Sequence, residues 1–291
     1  MTFYSNRTKK RDPYKAIERE AFDSVRDKCR ENIDLLYSLD AEILSVRSHD
    51  GLTLKARFFR GKNDKIYHLM FHGYKSTPYL DFMGGATDLI RRGENVILVD
   101  QRAHGDSEGK TICFGAKERR DVHTWIKHTE KLFGEDIKIF LWGVSMGAAT
   151  VLSSLEFPHS DSVVGVIADC PFSSPLGIIT LVANKMGLPR PFVPLLMRPA
   201  AVVCGGFRLG KREARRAVMK SKLPILLIHG DADTFVPSYM SDEIYKAAVD
   251  AGVDISYHVF PNADHAMSYL SDKERYISLV DGFIAKCLDE K

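Results

Sequence analysis

Two stretches of this chain set a serine between glycines in the spacing G-x-S-x-G: GVSMG at Gly143–Gly147 and GDSEG at Gly105–Gly109. A serine hydroxyl is presented as a nucleophile when a sharp strand-to-helix turn pushes it into solvent, and the flanking glycines relieve the crowding of that turn. The surroundings separate the two matches. The apolar run IKIFLW leads straight into GVSMG and the small-residue run AATVLSSL leaves it, so Ser145 falls where a strand meets a helix. The next residue, Met146, then offers its backbone N–H at a helix N-terminus, where developing negative charge is stabilised. Around Ser107 the strand-like run ends several residues earlier, no helix follows at once, and Glu108 would set a negative charge where an oxyanion must form. Ser107 is read as a decoy and Ser145 as the nucleophile.

Serine chemistry also needs a base, an acid to orient it and a second oxyanion donor. FHGYKS follows the strand-like run HLM and supplies a loop donor, the Tyr74 backbone N–H. ILLIHGDADTFVP offers two acids after a strand, Asp231 and Asp233. YHVFPNADHAMSY offers His258, inside a strand pattern, and His265, in the loop beyond it and free to reach the serine. Asp169, at the end of another strand, is a further acid whose expected role is structural, and Cys170 beside it is read as a small buried thiol. Serine, acid and histidine thus occur in the chain order Ser…Asp…His.

The elements that must position these groups follow from periodicity. Strand-like runs lie at Ala41–Ser48, Leu52–Phe59, Ile66–Phe71, Val96–Val99, Ile137–Trp142, Val163–Ala168, Ile225–Ile228 and Ile255–Phe260. Asp50-Gly51 joins the first two as a hairpin. Helical patterns fill most of the later gaps: Asp81–Arg92, Ala116–Leu132, Ala148–Leu155, Ser238–Ala251 and Lys273–Leu288. Short apolar strands alternating with helices predict an α/β fold, about eight mostly parallel strands flanked by helices. Residues 1–40 read as an N-terminal helical extension, expected to be solvated, and residues 41–291 as the main domain. Residues 171–210 hold six prolines and long apolar runs, which predicts a cap insertion.

Composition excludes several classes. The chain has 291 residues, 45% hydrophobic and 27% charged, which is long enough to fold without metal or disulfide support. No apolar run approaches the ~18 residues of a membrane span, and the first residues lack the apolar core of a signal peptide. Five cysteines without metal-like or C-x-x-C spacing read as reduced thiols, so a cytoplasmic location is expected. HGDSEGKT and GGFRLGKR fail as phosphate loops, and no H-E-x-x-H occurs. No metal, cofactor or nucleic-acid partner is expected, and oligomeric state is not encoded.

The motifs HGY (72–74), DQRAHGDS (100–107), GVSMG (143–147), HGDADTFVP (229–237) and NADH (262–265) resemble those of the α/β-hydrolase superfamily over residues 41–288. The resemblance is to its bacterial intracellular serine hydrolases of the serine-aminopeptidase-like and acyl-thioesterase-like branch. It implies the α/β-hydrolase fold, a Ser145–His265–Asp233 triad, with the last aspartate of H-G-x-x-D taken over Asp231, and an oxyanion hole from the Tyr74 and Met146 N–H groups. Ala103 stands where the family has a glycine, which implies a slightly different turn. The resemblance implies hydrolysis of small-molecule acyl esters or thioesters. Small-peptide hydrolysis and a non-catalytic binding protein on the same fold are the alternatives.

Net charge is only +3, but residues 185–222 hold ten Lys/Arg against one acid, Glu213. If the cap borders the entrance, Arg208, Arg215 and Arg216 would form a positive rim suited to an anionic amphiphile; a solvated basic helix is the plainer expectation. Phe172, Phe192 and Leu196, with the Tyr74 side chain, are the expected pocket lining.

Overall fold

The computed structural model describes residue 3 and residues 12–63, 65–210 and 213–289. The basic run at 7–11 and Lys211 lie outside the described residues. The chain opens with two helices, α1 (Pro13–Ile17) and α2 (Arg26–Ser38), separated by one 3-10 turn at Glu20–Phe22. Then come strands β1 (Glu42–Arg47), β2 (Thr53–Phe59) and β3 (Ile66–Phe71), and short helices α3 (Pro78–Asp81) and α4 (Gly85–Arg91). Strand β4 (Asn95–Asp100) precedes helix α5 (Glu118–Phe133), β5 (Lys138–Val144), α6 (Met146–Ser154) and β6 (Val163–Asp169). The cap region forms α7 (Pro175–Lys185) and α8 (Phe192–Gly205), followed by α9 (Ala214–Ala217). Strand β7 (Ile225–Gly230), α10 (Tyr239–Asp250), β8 (Ile255–Phe260), α11 (Ser268–Ser271) and α12 (Lys273–Asp289) complete the fold.

The strands form one eight-stranded sheet in the order β1-β2-β4-β3-β5-β6-β7-β8. β2 runs antiparallel to both neighbours, and the remaining pairs are parallel. The turn at Gly51, φ +86°, closes the β1–β2 hairpin. Parallel strands are buried on both faces, and the alternation within β5 shows it. Ile139 and Leu141 join the core beneath α5, α6 and α10, with Trp125 and Val151, whereas Phe140 and Trp142 join the opposite core beneath α4 and α12, with Leu89 and Phe283. Helix α5 buries Val122, Trp125, Ile126 and Thr129, one helical stripe. It ends at Gly134, φ +93°.

Two expectations are corrected in detail. The single helix predicted at Asp81–Arg92 is two, α3 and α4, with a turn at residues 82–84 between them; Gly84 in that turn lies where the Tyr269 ring leaves no room for a Cβ. The N-terminal segment is not simply solvated: Ile17, Phe22, Cys29 and Ile33 pack with Leu80 and Met83 in a small core of their own. Helix spacing in this segment had been legible, but the partner for its apolar stripe comes from α3 and the turn after it. No helix among the described residues is long and apolar enough to cross a membrane.

Candidate active site

Five strands deliver chemistry to one edge. β3, β5, β6, β7 and β8 end in the segments bearing Tyr74, Ser145, Asp169, Asp233 and His265 respectively. That is the carboxyl edge of a parallel sheet, where ligands of open α/β folds bind.

Ser145 has φ +55° and ψ −115°, a backbone state that costs about 1–3 kcal/mol for a residue with a Cβ. The turn is held by the Ser145 N–H donating to the Asp169 carbonyl at 2.8 Å. The glycines beside it are sterically required: a Cβ on Gly147 would collide with the Phe71 carbonyl, and one on Gly143 with the backbone of Gly147 and Ala148. The chain therefore turns directly from β5 into α6. The Met146 N–H belongs to the first turn of that helix, where N–H groups have no intrahelical acceptor.

His265 Nε2 lies 2.9 Å from Ser145 Oγ, and its Nδ1 lies 2.6 Å from Asp233 Oδ2. The Nδ1–H therefore donates to the carboxylate, leaving Nε2 to accept the serine proton. Asp233 Oδ1 accepts the N–H groups of Phe235 and Val236 at 2.9 and 2.7 Å. Burial works against its charge, but hydrogen bonds from His229 and His265 and from the Val236 N–H outweigh burial and hold the carboxyl well below the usual carboxylate range. Asp231 serves elsewhere: its carboxylate accepts the Asn262 N–H at 2.6 Å and braces the turn that carries His265.

Three positioning groups were not singled out by sequence. His229 is fully buried; Ser241 Oγ donates to its Nδ1 at 2.6 Å, and its Nε2–H is shared between the Val236 carbonyl at 2.8 Å and Asp233 Oδ2 at 3.2 Å. Asp264 accepts the Thr234 N–H at 2.9 Å and the Thr234 hydroxyl at 3.1 Å, tying the His265 loop to the Asp233 loop. Asp81 accepts the Gly73 N–H at 2.6 Å and the Ser76 hydroxyl at 2.5 Å, fixing the backbone on either side of Tyr74. The motifs HGDADTFVP (229–237) and NADH (262–265) contained His229 and Asp264 as bare letters; Asp81 carries no local signal.

The Tyr74 loop is further held by two histidines. Burial pushes His72 down to about 4, so it is neutral: Nδ1–H donates to the Gly73 carbonyl and Nε2 accepts the Gln101 N–H. His104 Nε2 accepts the Lys75 N–H at 3.0 Å, which gives the DQRAHGDS segment its purpose. Ser107 lies buried in that segment, accepting the Lys55 N–H and donating to the Asp100 carbonyl. Ala103, where the family has glycine, sits at φ +63°, a left-handed turn that glycine adopts more readily.

A cavity of about 440 Å³ opens beside Ser145 and His265. Its apolar wall includes Tyr74, Leu80, Phe235 and Leu270, together with Phe22 from the N-terminal segment; Arg19 and Ala21 also reach it. Asp169 lines it, engaged with Ser268 Oγ at 3.2 Å. The expected lining is corrected here: none of Phe172, Phe192 and Leu196 borders this cavity. Phe172 is buried in the core near Phe114, and Phe192 and Leu196 stand on the outer side of α8, whose protein-facing stripe is Val193, Ala201 and Gly205. The basic residues Arg208, Arg215 and Arg216 do not line it either. Arg215 and Arg216 lie within 3.7 and 3.6 Å of Glu213, on the surface beside α10.

Among the described residues, one group of side chains has ligand atoms close enough to hold a metal: Cys170, Asp233 and His265. Two of these are the acid and base already hydrogen-bonded to each other.

Comparison with known proteins places this geometry. A family profile described as serine aminopeptidase, S33, matches residues 63–209, about half of the chain, and one described as the prolyl oligopeptidase family matches residues 210–291. An uncharacterized Bacillus subtilis protein, YqkD, is 29% identical over 199 residues, covering 66% of this chain and 62% of its own length. A thiohydrolase of Aspergillus aculeatus is 29% identical over 147 residues, 49% of this chain and 44% of that protein. The matches therefore span less than two thirds of these relatives. Among solved structures, an esterase of Pyrococcus furiosus superposes with a TM-score of 0.68 at 24% identity, covering 86% of this chain and 93% of the esterase. The acylaminoacyl peptidase of Pyrococcus horikoshii superposes at 0.60 and 16% identity, over 86% of this chain and 43% of the peptidase. These likenesses show a common α/β-hydrolase fold.

Proposed function

Because the chain belongs to the serine aminopeptidase (S33) family of α/β-hydrolases, we propose that it is a serine hydrolase cleaving carboxylic esters or thioesters through Ser145. One observation supports this above all: two hydrogen bonds run in series from Ser145 Oγ through His265 to Asp233, at 2.9 and 2.6 Å, beside a cavity with a mixed polar and apolar lining.

In this reading Ser145 Oγ attacks the acyl carbon while His265 Nε2 takes its proton. Asp233, held ionised, keeps the imidazole in the required tautomer and stabilises the imidazolium. The Tyr74 and Met146 N–H groups receive the negative charge on the carbonyl oxygen. Collapse breaks the C–O or C–S bond, and the departing alcohol or thiol takes the proton from His265. Water, deprotonated by His265, then attacks the acyl-enzyme and releases the carboxylate.

Acyl ester and thioester substrates accord with a thiohydrolase among the relatives, while the matching family profiles carry peptidase descriptions, so the choice against peptides rests on the site itself. An aminopeptidase needs a carboxylate to hold the substrate's amino group. The acidic side chains at this cavity are already engaged: Asp169 with Ser268, Asp264 with Thr234, and Asp81 with Gly73 and Ser76. All five cysteines are free thiols, which fits a reducing compartment and a cytoplasmic enzyme.

The test is hydrolysis of p-nitrophenyl esters of graded chain length by the wild type and by Ser145→Ala, with fluorophosphonate labelling of both. Ester turnover and labelling should both be lost in the variant. Labelling without ester turnover in the wild type would shift the reading to amide substrates. Absence of both would favour the non-catalytic binding protein.

A further inference from the structure

The cap presents an apolar face that none of the described residues covers. On α8, Phe192, Leu195, Leu196, Pro199, Val202 and Val203 recur at the spacing of a single helical stripe. All six are exposed, Leu195 to 69% and Val203 to 83%, and Met186, just after α7, is exposed to 76%. The opposite side of α8 is fully used, burying Val193, Ala201 and Gly205. An exposed run of large apolar side chains on one helix marks a contact surface.

The charge around the stripe selects its occupant. Residues 170–212 contain six Lys/Arg and no Asp or Glu. Lys185, Arg190, Arg198 and Arg208 are exposed, and among the described residues no carboxylate pairs with them. Arg215 and Arg216, farther along, have Glu213 within 4 Å, so the absence of acids is confined to the cap. A second copy docking through this face would bring the same unpaired cations together. A surface bearing negative charge over an apolar interior matches both features.

We infer that the outer face of α8 docks on an anionic lipid bilayer, with Phe192, Leu195, Leu196, Val202 and Val203 entering the acyl boundary and the four cations meeting the headgroups. The helix lies in the plane of the interface, as amphipathic surface helices do, and the fold remains outside the membrane. The attachment is independent of the chemistry at Ser145. Lys185, whose Nζ donates to the Thr234 carbonyl at 2.6 Å, links the cap to the loop bearing Asp233.

The test is flotation of the full chain with phosphatidylcholine vesicles, with and without phosphatidylglycerol, beside a Leu195→Ser/Val202→Ser/Val203→Ser variant. Circular dichroism melting checks that the variant is folded. Cys204 is exposed and the other four cysteines are buried, so a polarity-sensitive thiol dye on the native chain reports from α8. Binding to the anionic vesicles should be at least about tenfold tighter than to neutral ones and should weaken with salt. The dye should shift to the blue, and the triple variant should lose both signals while keeping its melting transition. No flotation with anionic vesicles, or equal flotation of a folded variant, overturns the inference. So does a wild-type dimer that the triple substitution converts to monomer, because a second copy would then own the face.

Discussion

His229 reaches the same oxygen of Asp233, Oδ2, that serves His265, from 3.2 Å on one side while His265 holds it at 2.6 Å on the other. The carboxylate that orients the base is itself oriented by a buried imidazole, which Ser241 and the Val236 carbonyl fix in turn. His229→Leu should lower kcat about tenfold, ~1.4 kcal/mol of barrier, with a smaller change in KM. His229→Gln, which keeps a donor, should recover part of the loss. Steady-state kinetics on a short p-nitrophenyl ester decide this, and an unchanged kcat in a folded His229→Leu enzyme removes the role.

Asp81 acts on the other side of the serine, through the Gly73 N–H and the Ser76 hydroxyl that bracket Tyr74. Its removal frees the loop that presents an oxyanion donor. Since losing one such donor outright costs about 100-fold or more, Asp81→Ala should lower kcat by roughly tenfold to 100-fold, with KM much less affected. A rise in KM at constant kcat would instead make Asp81 a substrate-binding group.

Asp169 supplies a pH signature of stability. Burial pushes its pKa up from 3.8 to about 6. The folded protein keeps this proton up to about pH 6, whereas the unfolded chain releases it near pH 4. Folding is therefore increasingly penalised as pH rises through that window, and the full penalty is present above it. Asp169→Asn should accordingly stabilise the protein by about 1–3 kcal/mol at pH 8 and give little gain at pH 4. Thermal melts at the two pH values test this; equal effects at both would mean that the carboxyl is ionised throughout.

Ala21 lies at the cavity but is exposed, so a larger side chain there adds bulk without disturbing a core. Ala21→Trp should leave hydrolysis of acetyl esters near wild type and lower that of long-chain esters by about tenfold, ~1.4 kcal/mol, within the range that apolar pocket contacts discriminate. A uniform response along the ester series would place the acyl chain elsewhere.

Much of this was legible before folding. The alternation of apolar runs with amphipathic helices determined the α/β class, because buried parallel strands must be apolar on both faces. Ser145, Asp233 and His265 could be located because a nucleophile at a strand–helix turn, an acid and a base each need local backbone chemistry that leaves a short motif. Of the pocket, only Tyr74, in the HGY motif, left such a trace. The pocket wall otherwise draws on Phe22, Leu80, Phe235 and Leu270, which lie far apart in the chain and meet only through packing. The same holds for α8: its apolar residues were visible, but their direction was set by which stripe Val193, Ala201 and Gly205 buried against the body. Residue types dictated the reactive groups through local steric and electronic needs. Only the tertiary structure decided what surrounds them, because a cavity and an exposed face are properties of how separate elements pack.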